Sequence, residues 1–126
     1  MLGHVSFGIA DKQQATAFYD GIMALLGYVR VWDSDKGVGY GPPNGGDMLA
    51  LFVQPEPPTP PGVGFHVAFV APSRRAVDAF YRQALAAGAT DAGPPGLREH
   101  YTPTYYAAFV IDPFGYKLEF YCEVPE

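Results

Sequence analysis

His4-Val5-Ser6-Phe7-Gly8-Ile9 opens the chain, and His66-Val67-Ala68-Phe69-Val70-Ala71 restarts the same pattern 62 positions later. The offset persists beyond these stretches. Ala17-Phe18-Tyr19 falls on Ala79-Phe80-Tyr81, and after a slip of one residue Leu25-Leu26-Gly27 falls on Ala86-Ala87-Gly88. At an offset of 68, Leu51-Phe52 falls on Glu119-Phe120. Self-similarity at a nearly fixed spacing marks a duplicated supersecondary unit. The fold therefore reads as two copies of one module.

Each copy can be drawn from its residues. Positions 3–9 alternate as a strand. Asp11 offers an N-cap with Gln14 three residues on. Ala15, Phe18, Ile22 and Leu25 then recur at helical spacing, and Gly27 closes the helix. Strands are expected at 28–32, 38–40 and 48–53, the last two around the turn Pro42-Pro43-Asn44-Gly45-Gly46. The second half repeats this order. A strand at 64–70 precedes Ser73 as N-cap. A helix follows, carrying Val77, Phe80, Tyr81, Ala84 and Leu85 and closed by Gly88. A short strand at 89–92, a turn-rich break at 93–96 and strands at 105–111 and 116–122 complete it. Asp112-Pro113-Phe114-Gly115 is the tight turn between the last two.

Each half is β-α-β-β-β, an α+β arrangement, and each helix is too short to stand alone, so it must cover one sheet face. Residues 54–62 hold five prolines in nine positions. Such a segment is neither helix nor central strand and reads as a linker. The expected organisation is one domain, 1–126, with module 1 at 1–54, a linker at 55–62 and module 2 at 63–126.

The 126 residues are 48% hydrophobic and 17% charged, with a net charge of −5, which suits a globular domain with its own core. The only adjacent basic pair is Arg74-Arg75. That composition argues against nucleic acid and anionic membrane as partners. A single cysteine, Cys122, excludes an internal disulfide and fits a reducing compartment. With no secretory leader and no apolar run of membrane-spanning length, a cytoplasmic location is expected.

Strand alternation decides where the polar residues point. Val5, Phe7 and Ile9 share one face of the first strand, and His4, Ser6 and Gly8 the other. In the equivalent strand Phe65, Val67 and Phe69 pack, leaving His66, Ala68 and Val70 opposite. In the last strand Leu118, Phe120 and Cys122 pack, leaving Lys117, Glu119 and Tyr121 opposite. His4, His66 and Glu119 thus share the face away from the helices, with the small Ser6, Gly8 and Ala68 leaving room beside them. Two imidazoles and one carboxylate suit Fe(II), Mn(II), Zn(II), Ni(II) or Co(II). Three protein ligands leave coordination positions open, as catalytic sites do. The competing account is a hydrogen-bonded or surface histidine at each position and a solvated Glu119. On the offset of 68, the first-half partner of Glu119 is Leu51, which cannot ligate.

With these residues the chain resembles the vicinal oxygen chelate superfamily of glyoxalase I, extradiol dioxygenases, fosfomycin-resistance transferases and bleomycin-resistance proteins. The resemblance rests on His4-Val5-Ser6-Phe7, on His66-Val67-Ala68-Phe69 and on the ending from Tyr105 to Glu119 through Asp112-Pro113-Phe114-Gly115. It implies two βαβββ modules whose curled mixed sheets form an open barrel around a metal pocket. It also implies His4, His66 and Glu119 as ligands of a divalent ion, a small oxygenated substrate that chelates that ion, and a homodimer. Glyoxalase I enzymes take a fourth protein ligand where this chain has Leu51, so the resemblance points to a lyase, isomerase or dioxygenase type other than a four-ligand glyoxalase I.

His100 and Tyr101, ahead of the strand that enters the Asp-Pro turn, are the candidates for a general acid/base or a substrate hydrogen-bond donor. Tyr105 and Tyr106 lie nearby, and the competing account of His100 is an exposed loop residue. Arg98 could pair a substrate carboxylate bidentately, and the competing account is a surface residue. The alternative function is a metal-free module that sequesters a small aromatic compound, as bleomycin-resistance relatives do.

Overall fold

The computed structural model describes residues 1–125. The chain divides into two compact units between Thr59 and Pro60, inside the proline-rich stretch. The first contains β1 (Val5–Ile9), α1 (Lys12–Ala24), β2 (Val29–Ser34), β3 (Gly37–Gly41) and β4 (Leu49–Val53). The second contains β5 (Val67–Val70), α2 (Arg74–Ala86), β6 (Thr90–Leu97), β7 (Tyr106–Ile111) and β8 (Lys117–Cys122). The duplicated βαβββ order is therefore present, in the α+β class.

Within the first unit the sheet order is β1-β4-β3-β2, with β1 and β4 parallel and the other pairs antiparallel. Asp11 caps α1 by accepting from the Gln14 backbone N–H at 3.1 Å, and Gly27 leaves the helix end at φ 78°. The helix buries Ala15, Phe18, Tyr19, Ile22 and Met23, and it packs on β2 and β3. Its outer side is tied to β2 by polar contacts. Asp20 takes both Nε and Nη2 of Arg30 and the Tyr40 hydroxyl, and Lys12 reaches Asp33. The Arg30 guanidinium holds the Asp20 carboxyl below its ordinary value.

The second unit repeats the order as β5-β8-β7-β6, again with one parallel pair, β5 with β8. Ser73 caps α2 by accepting from the Ala76 N–H at 3.1 Å. Val77, Phe80 and Ala84 are buried under the helix, and Ala108, Val110, Leu118 and Phe120 are buried in the strands. Phe80 lies flat on Phe120, centroids 4.0 Å apart and planes 2° from parallel. The β7–β8 turn is held by Asp112, which accepts from the N–H groups of Phe114 and Tyr116 at 2.8 Å each. Cys122 is buried on the same side as Phe120.

Two expectations are corrected here. The strand expected at 89–92 with a break at 93–96 is one irregular strand, β6, with register shifts between Asp91 and Gly93 and between Gly93 and Gly96. β6 lies at a sheet edge, where Pro94 and Pro95 can sit without breaking a two-sided ladder. The strand expected at 64–70 is only Val67–Val70, because Gly62 and Gly64 at φ 115° and 98° keep the preceding backbone out of the extended region.

The sheet register also replaces Leu51 as the counterpart of Glu119. Glu119 pairs with Ala68 on β5, and Ala68 matches Ser6 when His66 is laid on His4. Ser6 pairs with Ala50. The counterpart of Glu119 is thus Ala50, while Leu51 pairs with Phe7 as Phe120 does with Phe69. A shift of one residue moves a strand position to the other face. The absence of a first-half ligand stands, but it resides at an alanine.

The rows through Ala50 and Glu119 carry an exchange of bulk. In the first unit Trp32 on β2 faces Gly39 on β3, and a Cβ on Gly39 would lie 2.0 Å from the indole nitrogen. In the second, Gly93 on β6 faces Phe109 on β7, and a Cβ on Gly93 would lie 3.1 Å from that ring. One aromatic ring fills each row, contributed by opposite strands.

Candidate metal-binding site

Glu119 lies between Leu118 and Phe120, both fully buried on the helix side, so its side chain projects from the opposite face. It is nonetheless only 2% exposed, so the solvated reading is wrong for this carboxylate. A buried carboxylate needs partners to offset the loss of hydration. One oxygen, Oε1, lies 2.9 Å from His66 Nε2, and the other, Oε2, accepts from the Tyr105 hydroxyl at 2.5 Å.

His66 sits one residue ahead of the Val67–Leu118 pair, which sets it beside Lys117 on the face that Glu119 shares. Its side chain is 38% exposed, and its ring meets Phe109 edge-on at 5.9 Å. Tyr105 immediately precedes β7 and has the parity of Phe109, whose strand partner is Glu119. Tyr106 has the opposite parity and turns to the helix side, donating to Asp78 at 2.7 Å. Burial, and then the hydrogen bond to Glu119, pushes the Tyr105 phenol well above its ordinary value, so it remains a donor at physiological pH.

The His66–Glu119 pair fits a divalent cation. Imidazole nitrogen and carboxylate oxygen bind such ions at about 2.0–2.2 Å. Two such atoms at right angles about one ion lie roughly 3.0 Å apart, close to the 2.9 Å seen here. Oε2 is already engaged by Tyr105, which leaves Oε1 as the ligating atom. Within the second unit no further His, Cys, Asp or Glu among the described residues joins the pair. His4 belongs to the first unit, exposed just ahead of β1 and one residue before the Val5–Leu49 pair.

His100 and Tyr101 lie between β6 and β7 in a run of rings. His100 meets Tyr101 at 4.2 Å, Tyr101 meets Tyr105 edge-on at 5.0 Å, and Tyr105 stacks on Tyr121 at 4.7 Å. The run reaches Glu119 through the Tyr105 hydroxyl. Tyr105, one of the tyrosines near His100 and not the one singled out with it, is the residue in direct contact with the carboxylate. Its shared parity with Phe109 and Glu119 was the signal that could have singled it out.

A family model described as Glyoxalase/Bleomycin resistance protein/Dioxygenase superfamily matches residues 1–120. No curated protein matches the chain. Among solved structures, a glyoxalase/bleomycin resistance protein from Albidiferax ferrireducens is 28% identical, with a TM-score of 0.85 over 98% of this chain and 99% of that one. A putative glyoxalase from Bacillus halodurans is 26% identical, with a TM-score of 0.70 over 97% of this chain and 95% of that one. The fosfomycin resistance protein FosX from Listeria monocytogenes shares the fold at 17% identity, with a TM-score of 0.72 over 98% of this chain and 93% of that one. With the duplicated βαβββ order and the family match over nearly its whole length, the chain belongs to the glyoxalase/bleomycin resistance protein/dioxygenase superfamily.

Proposed function

We infer that the chain is a divalent-metal-dependent enzyme acting on a small oxygenated molecule, of lyase, isomerase or dioxygenase type. His4, His66 and Glu119 hold the ion, with Fe, Mn, Zn, Ni and Co as the ions this donor set suits. The observation that carries this reading is the buried Glu119 carboxylate with His66 Nε2 at 2.9 Å, on the sheet face opposite the helix. A bound ion would supply Lewis-acid polarisation to a chelating pair of substrate oxygens.

The chain's own residues divide the remaining work. Tyr105 fixes the carboxylate by occupying Oε2, so Glu119 presents one oxygen in one orientation. Phe109 restricts the His66 ring from its edge. His100 and Tyr101 stand exposed at the far end of the ring run, free to hold or move a proton at the imidazole nitrogens or the Tyr101 oxygen. His4 joins from the first unit of the same chain or of a second copy in a homodimer.

The run of rings from His100 to Tyr121 favours a second reading, a metal-free module that stacks a small aromatic compound. Elemental analysis of untagged protein separates the two. The enzyme reading expects close to one metal ion per site in the native protein and its loss in His4→Ala. Native protein without metal that binds an aromatic compound tightly would replace that reading with the second.

A further inference from the structure

We propose that the second unit carries a subsite for an apolar monocarboxylate in a cavity that Lys117 lines, with Lys117 as its counterion and Arg98 as a cation on the Phe109 ring but outside the cavity lining. Arg98 Cζ lies 5.5 Å and Lys117 Nζ 5.2 Å from the Phe109 centroid. Neither cation has a carboxylate within 4.0 Å among the described residues. Phe109 is the strand partner of Glu119, and that carboxylate on the same face is engaged by Tyr105 and His66 rather than by either cation.

The Arg98 position is built. Its Nη1 donates to the Gly96 carbonyl at 2.9 Å and its Nη2 to the Pro94 carbonyl at 2.8 Å. These acceptors are neutral, so they orient the guanidinium without cancelling its charge, and three of its five N–H donors remain. Space for it is made by two glycines. A Cβ on Gly93 would approach Nη2 to 3.3 Å, and one on Gly96 would approach Nη1 to 3.2 Å. The Arg98 guanidinium is thus held in a fixed geometry, outside the cavity lining.

Lys117 is the cation in the cavity wall. It is half-buried, two residues before Glu119 on the same face, and it lines a cavity of about 400 Å³. The other walls include Pro60, Pro61, Val63, Phe65 and Ile111. A cavity with apolar walls and one ammonium suits a ligand with an apolar body and a single negative group. A carboxylate matches that balance, because its monoanion costs less to desolvate than a phosphate dianion.

This subsite does not need the cation, so it is tested on protein stripped of metal and dialysed. Benzoate and benzamide are the probes, equal in shape and different in charge, titrated by calorimetry. Benzoate is expected to bind at least about tenfold more tightly than benzamide. The preference should vanish in Lys117→Met and persist in Lys117→Arg, whose retained preference shows the site intact. Equal binding of the two probes, binding of neither at tens of millimolar, or a preference that survives Lys117→Met would overturn the proposal. The metal content of the native protein is read separately, so failure of the subsite and failure of the cation site are distinct results.

Discussion

Glu119→Gln is expected to lower the affinity for a divalent cation by at least about a hundredfold, since losing even an orienting partner of a ligand typically costs ~10–100-fold. The substitution keeps the volume of the side chain and removes the charge. The amide can still bond to the Tyr105 hydroxyl and the His66 ring, so the metal-free protein should melt close to the native one. Tyr105→Phe supplies the graded comparison. It leaves the carboxylate in place and takes away the donor at 2.5 Å from Oε2. Its expected cost is about 10–100-fold in metal affinity, with ~1–3 kcal/mol of stability from the buried oxygen left unpaired. Titration of Mn(II) or Co(II) into the three proteins, alongside their denaturation midpoints, checks both parts. Equal affinity in all three would remove Glu119 from any cation site.

Phe80→Ala is expected to destabilise the fold by about 3–5 kcal/mol, the range for deleting a buried aromatic ring. Phe80 has no exposure and lies at 4.0 Å against Phe120, which is equally buried. The ring joins α2 to β8, the strand that carries Glu119. Its loss would open a cavity that backbone hydrogen bonds in the sheet resist closing, because the β7 and β5 neighbours of Phe120 are held in register. Urea denaturation measures the effect, and a loss below about 1 kcal/mol would contradict the packing described. Metal binding should survive wherever Phe80→Ala is still folded, since Phe80 and Glu119 lie on opposite sides of the sheet.

Those three substitutions fall on features that differ in how far sequence reveals them. The helix face of each sheet was legible from alternation and helical spacing. Phe7, Ile9, Val77, Phe80, Leu118 and Phe120 are all buried, whereas Phe65, expected to pack with Val67 and Phe69, precedes β5 and is exposed. Asp11 and Ser73 cap the helices as their side chains dictate. His66 and Glu119 were brought together on one face by parity alone, and they meet at 2.9 Å.

Other features depend on information that parity does not carry. The counterpart of Glu119 moved from Leu51 to Ala50 because the offset between the copies drifts through their loops, and one residue of drift exchanges the faces of a strand. Strand β6 was hidden by Gly93, Pro94, Pro95 and Gly96, which read as a turn until an edge position makes them tolerable. The burial of Glu119 depends on Tyr105 and His66 closing over it, contacts between residues 14 and 53 positions away from it in the chain. The cavity beside Lys117 is formed by the proline-rich segment meeting the β7–β8 turn. Pro60 lies so near Gly115 that a Cβ there would approach it to 2.9 Å.

The cation site is tested most directly by anomalous diffraction from crystals grown with Mn(II). The account predicts a peak about 2.0–2.3 Å from His66 Nε2, from one Glu119 oxygen and from an imidazole nitrogen of His4, whichever copy supplies it. A peak elsewhere, no peak, or an ion on His66 and Glu119 with His4 remote from it would contradict the three-residue site.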